Sequence, residues 1–179
     1  YLKTLDIKAD KVLDVGGAAL PVKNRVKSWD VKRYKILDEG IEPGNYDIKG
    51  DINLTFGVSP EYFIADTTFC LEVMEYIYYP DNAIEWLSCL TEKGGILYIT
   101  FPFIYPFHNP VKHDMLRYTK SAVMELLEGE FFKVLDIIPR KMTPIGEAIY
   151  KQFLKVEGMH AAKGENHNEL GWIVKAKRI

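Results

Sequence analysis

Short apolar runs with the composition of strands recur along this chain, separated by segments with helical spacing or turn residues. The runs are rich in β-branched and aromatic residues, which favour an extended, pleated backbone. They occupy residues 11–15, 33–38, 46–52, 62–70, 96–103, 131–138 and 170–178. Strands joined by helical crossovers pair in parallel. The pattern therefore predicts a parallel α/β sheet in which the last two strands form an antiparallel edge.

Four of the intervening segments have the signals of helices. They occupy residues 21–29, 72–91, 120–127 and 145–156. The first opens with a proline and spaces Val22, Val26 and Trp29 at helical intervals. The second is broken near Pro80, and Thr119 is placed to cap the third. A turn is predicted at 93–95, where two glycines follow a lysine.

The composition is that of one globular domain. The chain has 179 residues, of which 47% are hydrophobic and 27% charged, and we expect a single domain over residues 1–179. The sequence does not begin with methionine, so this domain could lack an N-terminal segment that precedes Tyr1. The formal net charge of −2 provides no broad basic surface, so we expect no nucleic-acid partner. No pattern indicates an oligomeric state.

Two further features bear on the cellular location of the protein. The longest apolar run, residues 94–107, contains two prolines and is too short to span a bilayer, so no stable membrane insertion is expected. Cys70 and Cys89 lack the spacing of a zinc site and are predicted to be buried, reduced thiols. Reduced thiols are typical of a cytoplasmic protein, which is the location we expect.

The first predicted strand ends in a glycine turn, within the stretch "VLDVGGA" at residues 12–18. In parallel sheets, ligands bind outside the carboxyl ends of the strands. Gly16 and Gly17 lack Cβ atoms, so a nucleotide-like cofactor could pack directly over their backbone. The other interpretation is a tight strand-to-helix turn with no ligand, and this motif alone does not separate the two.

Acidic residues lie at or near the ends of the next two predicted strands. Asp38 lies 24 residues after Asp14, where its carboxylate could accept hydrogen bonds from ribose hydroxyls. Asp51 and Ile52, in "GDIN", could bond an adenine amine and cover its ring. Alternatively, Asp38 is a surface residue in a turn. The glycine turn lacks the full G-x-G-x-x-G pattern that a pyrophosphate requires, which favours an adenosyl ligand over NAD.

With these motifs in order, the chain resembles the class I S-adenosylmethionine-dependent methyltransferases, and among them the type 11-like enzymes. The stretches that carry the resemblance are "VLDVGGA", "YKILD", "GDIN", "FCLEVMEYI", "LTEKGGILYITFPF" and "HDMLRYTKSAVMELL". They cover most of residues 11–138, and "LGWIVKAKR" fits the last strand of that family. The resemblance implies a Rossmann-like, doubly wound sheet of seven strands in the order 3-2-1-4-5-7-6, with strand 7 antiparallel.

The resemblance also implies a cofactor, S-adenosylmethionine, and its product S-adenosylhomocysteine. It places the methionine end of the cofactor on the glycine turn, the ribose on Asp38 and the adenine at Asp51 and Ile52, with the sulfonium beside Leu71 and Glu72. The implied cofactor residues are Asp14, Gly16, Gly17, Ala18, Asp38, Asp51, Ile52, Leu71 and Glu72. The chain departs from the family at Ala18 and Leu20, where glycine is common, and at Tyr76, where histidine often follows the glutamate.

Candidate catalytic residues follow the fifth predicted strand, in residues 101–119. His108 or His113 could take a proton near neutral pH, and Arg117 could bind a carboxylate or phosphate of the acceptor. Alternatively, Arg117 pairs with Asp114 and pins the loop, and His113 caps the next element. The spacing of these histidines and Asp114 matches no metal motif, so no metal is predicted.

Two functional hypotheses remain. The first is methyl transfer to a small-molecule acceptor, such as a saccharide, a lipid or another metabolite. The second is a degenerate, non-catalytic adenosyl-binding or interaction module. Its support is the glycine loop, which has fewer glycines than is common in the family. A nicotinamide oxidoreductase is disfavoured because the phosphate-binding glycine pattern is missing.

Overall fold

The computed structural model describes residues 1–40, 44–54, 63–107, 109, 111–159 and 168–179. Within these ranges the strands are β1 (Asp6–Val15), β2 (Ser28–Asp38), β3 (Ile48–Lys49), β4 (Ala65–Cys70), β5 (Thr91–Pro102), β6 (Phe132–Lys141) and β7 (Glu169–Arg178). The helices are α1 (Pro80–Leu90), α2 (Lys120–Leu127) and α3 (Pro144–Val156). Short 3₁₀ turns occupy Leu2–Thr4, Met74–Tyr76 and Val111–His113.

The strands form one seven-stranded sheet in the order β3-β2-β1-β4-β5-β7-β6. β1, β2, β3, β4 and β5 pair in parallel, and β7 is antiparallel to both β5 and β6. This arrangement confirms the predicted strand order and the antiparallel edge. Because β6 runs in the same direction as β5, it ends at the same edge of the sheet as the parallel strands. We call this edge the carboxyl edge.

The sheet has two faces with different coverings. On the first, which we call the helix face, buried strand residues pack against buried residues of α1 and α2. This cluster includes Leu13, Val15, Leu97, Ile99 and Phe101 from the strands, and Leu87 and Leu127 from the helices. On the second, which we call the cavity face, the described residues form a smaller cluster of Ile7, Val12, Val22, Phe69 and Tyr98, without a residue of α1, α2 or α3.

The predicted helix over residues 21–29 is wrong. The backbone turns through residues 16–27, and Ser28 and Trp29 open β2 instead. Asn24 has φ of 75°, in the left-handed region that a right-handed helix cannot include. The Arg25 amide donates to the Val22 carbonyl at 3.0 Å and the Lys27 amide donates to the Leu5 carbonyl at 2.9 Å. These bonds hold the segment as a turn.

The remaining helices agree with the sequence more closely: α2 has the predicted bounds, α3 begins one residue earlier than predicted, and only α1 begins much later. Thr119 caps α2, with its Oγ1 accepting a hydrogen bond from the Ala122 amide at 3.2 Å. α1 begins only at Pro80, so the predicted segment 72–91 is helical over its second half, after the 3₁₀ turn. None of the helices in the described part of the chain is long and apolar enough to cross a membrane.

Two smaller predictions were also wrong. The turn expected at 93–95 lies within β5, where Gly94 adopts φ of 85° close to a shift in the β4–β5 register. Cys70 is buried as predicted, but Cys89 is exposed. Its neighbours Ser88 and Leu90 are buried, so Cys89 lies on the outward stripe of α1.

Candidate functional site

A cavity of about 320 Å³ lies at the carboxyl edge, outside the ends of β1, β2 and β4. This volume is within the range of small-molecule sites. The nine residues that sequence analysis proposed for cofactor binding all line it. They are Asp14, Gly16, Gly17, Ala18, Asp38, Asp51, Ile52, Leu71 and Glu72. Residues far apart in the sequence are therefore brought to one surface by the strand order.

Asp14 forms the floor of the cavity at the end of β1. Its Oδ2 accepts hydrogen bonds from the Val22 amide at 2.7 Å and from the Tyr34 hydroxyl at 2.6 Å. Burial raises the pKa of this carboxyl, and the two hydrogen bonds act in the opposite direction. Asp14 therefore ties the end of β1 to Val22, which lies beyond the glycines in the segment that turns through residues 16–27.

The glycines of the turn are required by the protein itself. Gly16 has φ of 76°, and a Cβ atom there would overlap a methyl group of Val73. A Cβ atom on Gly17 would overlap the carboxyl group of Asp14. The tight-turn interpretation thus accounts for both glycines without a ligand. Replacing Gly16 would disturb the turn directly, so that variant cannot report on cofactor binding.

Asp38 connects the end of β2 to the glycine turn. Its Oδ2 accepts from the Ala18 amide at 3.2 Å and its Oδ1 accepts from the Gly40 amide at 2.9 Å. A carboxylate oxygen can accept more than one hydrogen bond, so both oxygens retain capacity for a ligand hydroxyl. Glu39 and Asp51 line the same end of the cavity, and burial together with the Asp51 and Asp38 charges raises the pKa of Glu39. This end favours hydrogen-bond donors and repels anions.

The wall formed by residues 51–54 is positioned by α1. The Asn82 side chain donates to the carbonyl oxygens of Ile52, at 3.2 Å, and Asn53, at 3.1 Å. The Trp86 indole donates to the Leu54 carbonyl at 2.8 Å. Ile52 is buried beside Asp51, so an apolar side chain and a carboxylate are adjacent in this wall.

Glu72, directly after β4, has a constrained backbone. Its φ of 56° is in the left-handed region, which is uncommon for residues other than glycine and often marks functional sites. The Glu72 amide donates to the Thr100 hydroxyl at 2.7 Å, and this hydroxyl donates to Glu72 Oε1 at 3.1 Å. Arg140 at the end of β6 donates to the same oxygen at 2.7 Å. Sequence analysis missed Thr100 and Arg140.

The candidate catalytic residues have different positions. His113 lines the cavity, together with Asn109 and Tyr76. His108 lies outside the residues that the structure describes. No group of three potential metal ligands occurs among the residues that are described.

Arg117 is held by its own loop. It donates to both carboxylate oxygens of buried Asp114 and to the carbonyl oxygens of Tyr105, Pro106 and Leu116. This is the loop-pinning alternative that sequence analysis left open. These contacts use the planar donor face of the guanidinium, which leaves Arg117 poorly placed to bind an acceptor.

Glu75, the glutamate before Tyr76, is a further buried acid that sequence analysis did not propose as a site residue. Burial raises its pKa to about 7, with smaller contributions from the Glu72 and Asp114 charges. Its backbone carbonyl accepts from the amides of Met115 at 2.8 Å and Leu116 at 3.2 Å. The turn after β4 is thereby fastened to the loop that carries His113.

Comparison with known proteins is informative at the level of the fold. No protein-family model and no curated protein matches this sequence. A chain of the Haloferax volcanii complex between the Trm112 methyltransferase activator and a candidate methyltransferase aligns with a TM-score of 0.64 and 14% identity, over 98% of this chain and 85% of that one. An S-adenosylmethionine-dependent methyltransferase from Mesorhizobium loti aligns with a TM-score of 0.61 and 11% identity, over 98% and 94%.

The N-methyltransferase NodS from Bradyrhizobium japonicum, in complex with S-adenosyl-L-homocysteine, aligns with a TM-score of 0.59 and 12% identity, over 96% of this chain and 79% of that one. At such identities the likeness extends to the fold alone. It agrees with the strand order and with the antiparallel β7. The chain has the fold of the class I S-adenosylmethionine-dependent methyltransferases.

Proposed function

We propose that this protein is an S-adenosylmethionine-dependent methyltransferase that acts on a small-molecule acceptor, such as a saccharide, a lipid or another metabolite. The observation that carries the proposal is the convergence of all nine expected cofactor residues on one cavity at the carboxyl edge. The fold adds support, since the solved structures that resemble it include methyltransferases, one of them with S-adenosyl-L-homocysteine bound.

The volume and the acidic end of the cavity support an adenosyl cofactor. Asp38 would hold the ribose hydroxyls, and Asp51 and Ile52 would meet the amine and the ring of adenine. Asp14, Gly16, Gly17 and Ala18 would line the methionine end, with Leu71 and Glu72 on the sulfonium side. The wall of residues 51–54, fixed by Asn82 and Trp86, keeps the adenine side in place before the cofactor binds.

The glycine turn argues against a dinucleotide. Asp38, Glu39 and Asp51 line one end of the cavity, and a carboxylate there suits the ribose of either an adenosyl cofactor or NAD. The two ligands differ at the pyrophosphate, which binds the backbone amides of a complete G-x-G-x-x-G turn, whereas residues 16–21 read G-G-A-A-L-P. The incomplete glycine pattern therefore favours S-adenosylmethionine over NAD.

When bound, S-adenosylmethionine supplies an electrophilic methyl group on a sulfonium centre. Positioning is then the main task of the protein, because a displacement in line with the breaking bond needs the acceptor at close range. A hydroxyl acceptor must also lose a proton, which an imidazole nitrogen of His113 or His108 would take. Arg117 would hold the His113 loop in place through Asp114 rather than contact the acceptor.

Calorimetric titration tests the proposal. We expect saturable binding of S-adenosylmethionine and S-adenosylhomocysteine, and no comparable binding of NAD. Folded protein that binds neither adenosyl compound would overturn the proposal. Tight binding without methyl transfer from labelled cofactor to a broad panel of acceptors would favour the non-catalytic adenosyl-binding module.

A further inference from the structure

A second cavity, of about 480 Å³, opens on the cavity face of the sheet, beside the candidate cofactor cavity. The two cavities share Arg25, Leu71 and Glu72 in their linings. Leu71 and Glu72 are the residues expected on the sulfonium side of the cofactor. A molecule in the second cavity would therefore lie against the wall at which the methyl group is expected.

The floor of the second cavity is largely apolar. Tyr98 and Thr100 of β5 lie next to Ile173 of β7, which pairs with Thr100 in the sheet. The Tyr98 ring is stacked on Phe69, with ring centroids 4.9 Å apart, and Leu2 and Leu71 complete the apolar lining. Such a floor suits a flat or aliphatic body of modest size.

The rim of the second cavity is cationic. Lys3, Arg25 and Arg140 line it, and Glu72 is its only acidic lining residue among those described. Arg140 is already paired with Glu72, so the side chains of Lys3 and Arg25 leave a net positive charge. The nearby acid Asp136 lies opposite Lys175 in the β6–β7 register, and that lysine lies 5.8 Å from the centroid of the Tyr98 ring.

Arg140 is the best placed of these cations. Its guanidinium lies 5.1 Å from the centroid of the Tyr105 ring, and its side chain is 27% exposed. A guanidinium has five N–H donors in a planar fork, more than the contacts with Glu72 and Tyr105 use. Arg117, by contrast, is surrounded by acceptors of its own loop. The anion-binding role that sequence analysis gave to Arg117 thus fits Arg140 better.

We propose that the second cavity binds the methyl acceptor and selects small molecules that join an apolar or aromatic body to a carboxylate or phosphate group. Arg140 holds the anionic group, with Arg25 and Lys3 at the rim, while the body lies over Tyr98 and Ile173. The acceptor role rests on the proposed methyltransferase function, whereas anion binding in this cavity does not. The Glu72–Arg140 pair fixes the orientation of the guanidinium and places the anion beside the cofactor wall.

The test is titration of the complete chain with phenyl phosphate, with benzoate and with the neutral benzyl alcohol. Calorimetry measures the affinity of each compound, and amide chemical shifts locate its binding site. We expect both anions, or one of them, to bind at least about tenfold more tightly than the alcohol at low salt, because a charge-assisted hydrogen bond is lost with the neutral probe. The amides of Leu71, Thr100 and Ile173 should shift. The relative affinity of the two anions distinguishes a phosphate from a carboxylate acceptor.

Variants of Arg140 locate the binding. Arg140→Gln should weaken anion binding about tenfold or more, and Arg140→Lys should weaken it less, because it keeps the charge and the ion pair with Glu72. Arg33→Gln is the matched control, since Arg33 also pairs with a carboxylate, Asp10, but lines neither cavity. Thermal unfolding establishes whether each variant is folded. If Arg140→Gln does not fold, the anion affinity of Arg140→Lys shows whether Arg140 binds the anion.

The outcomes separate this proposal from the proposed function. Wild-type protein that binds S-adenosylmethionine but prefers neither anion over the alcohol overturns the anionic acceptor and leaves the methyltransferase function standing. Arg140-dependent anion binding without binding of S-adenosylmethionine supports the anion site and overturns the methyltransferase function. An equal loss of affinity in Arg33→Gln would show general charge attraction and overturn the proposal.

Discussion

The two faces of the sheet use the same strands for different purposes. On the helix face, Leu97, Ile99 and Phe101 of β5 are fully buried against α1 and α2. Their neighbours Tyr98 and Thr100 point to the cavity face, where they line the second cavity. Alternation along a strand thus divides β5 into one side that stabilises the fold and one side that can bind a ligand. The helix face should be sensitive to truncation, and the cavity face should tolerate it better.

The largest expected effect compares two adjacent residues of β5. Leu97→Ala should lower the free energy of unfolding by about 3–4 kcal/mol, because it leaves a hole in a fully buried cluster. Ile96→Ala should cost about 1 kcal/mol, because Ile96 is only partly buried on the cavity face. Urea unfolding of both variants measures the difference. Equal losses would show that the two faces contribute equally to the free energy of unfolding and would contradict the proposed division of β5.

This division explains why the sequence predicted one part of the fold incorrectly. Val22, Val26 and Trp29 have helical spacing, yet all three belong to the apolar cluster of the cavity face and reach it from a turn and from β2. Helical spacing of apolar residues indicates that they share a buried face. Here a turn with Asn24 in the left-handed region, rather than a helix, brings Val22, Val26 and Trp29 to that face. The helical interpretation therefore failed where the packing is local and irregular.

The cofactor-binding part of the candidate site was predictable from the sequence. Asp14, Asp38 and Asp51 each lie at or next to the carboxyl end of a predicted strand, so the sheet topology alone brings them together. Arg140 was missed even though the predicted strand order already placed β7 between β5 and β6. The apolar run that predicts β6 stops before Pro139, whereas the strand continues to Lys141, so Arg140 lay outside the predicted strand and its contact with Glu72 could not be expected. An edge strand tolerates a proline that a central strand would not.

A buried acid in the turn after β4 provides the next test. The pKa of Glu75 is about 7 in the folded protein, above its usual 4.5, so the folded state keeps a proton that the unfolded state releases. Stability should therefore fall as pH rises from about 4.5 to about 7, by roughly 2–3 kcal/mol. Glu75→Gln should remove this fall, leaving the variant more stable than wild type at pH 8 and similar to it at pH 4.5.

Urea unfolding across this pH range is the measurement for Glu75. Glu85→Gln is the control, because Glu85 is exposed on α1 and should leave the pH dependence unchanged. A Glu75→Gln variant that loses stability equally at all pH values would show that the carboxyl is needed for its contacts rather than penalised by burial.

At the carboxyl edge, Asp38 tests the cofactor cavity without replacing a glycine of the turn, to which its carboxylate is joined through the Ala18 amide. Asp38→Asn should weaken S-adenosylmethionine binding about tenfold, because hydrogen bonds from ribose hydroxyls to a charged acceptor become bonds to a neutral one. Asp30→Asn, an exposed change on the same strand, should leave the affinity unchanged. Calorimetry measures both. Unchanged affinity in Asp38→Asn would place the ribose elsewhere.

The smallest expected effect concerns the hydrogen bond from Tyr34 to Asp14, which supports the floor of the cofactor cavity. Tyr34→Phe should cost about 1 kcal/mol near pH 8, because the buried Asp14 carboxylate loses a donor. The bond lowers the pKa of Asp14 against the effect of burial, so the cost should shrink as pH falls and the carboxyl is protonated in both proteins. Tyr79→Phe, which alters an exposed ring, is the control. Phenylalanine keeps the ring that makes the edge-to-face contact with Trp29, with centroids 5.3 Å apart, so a pH-independent loss would mean that the hydroxyl does not act through the Asp14 carboxylate.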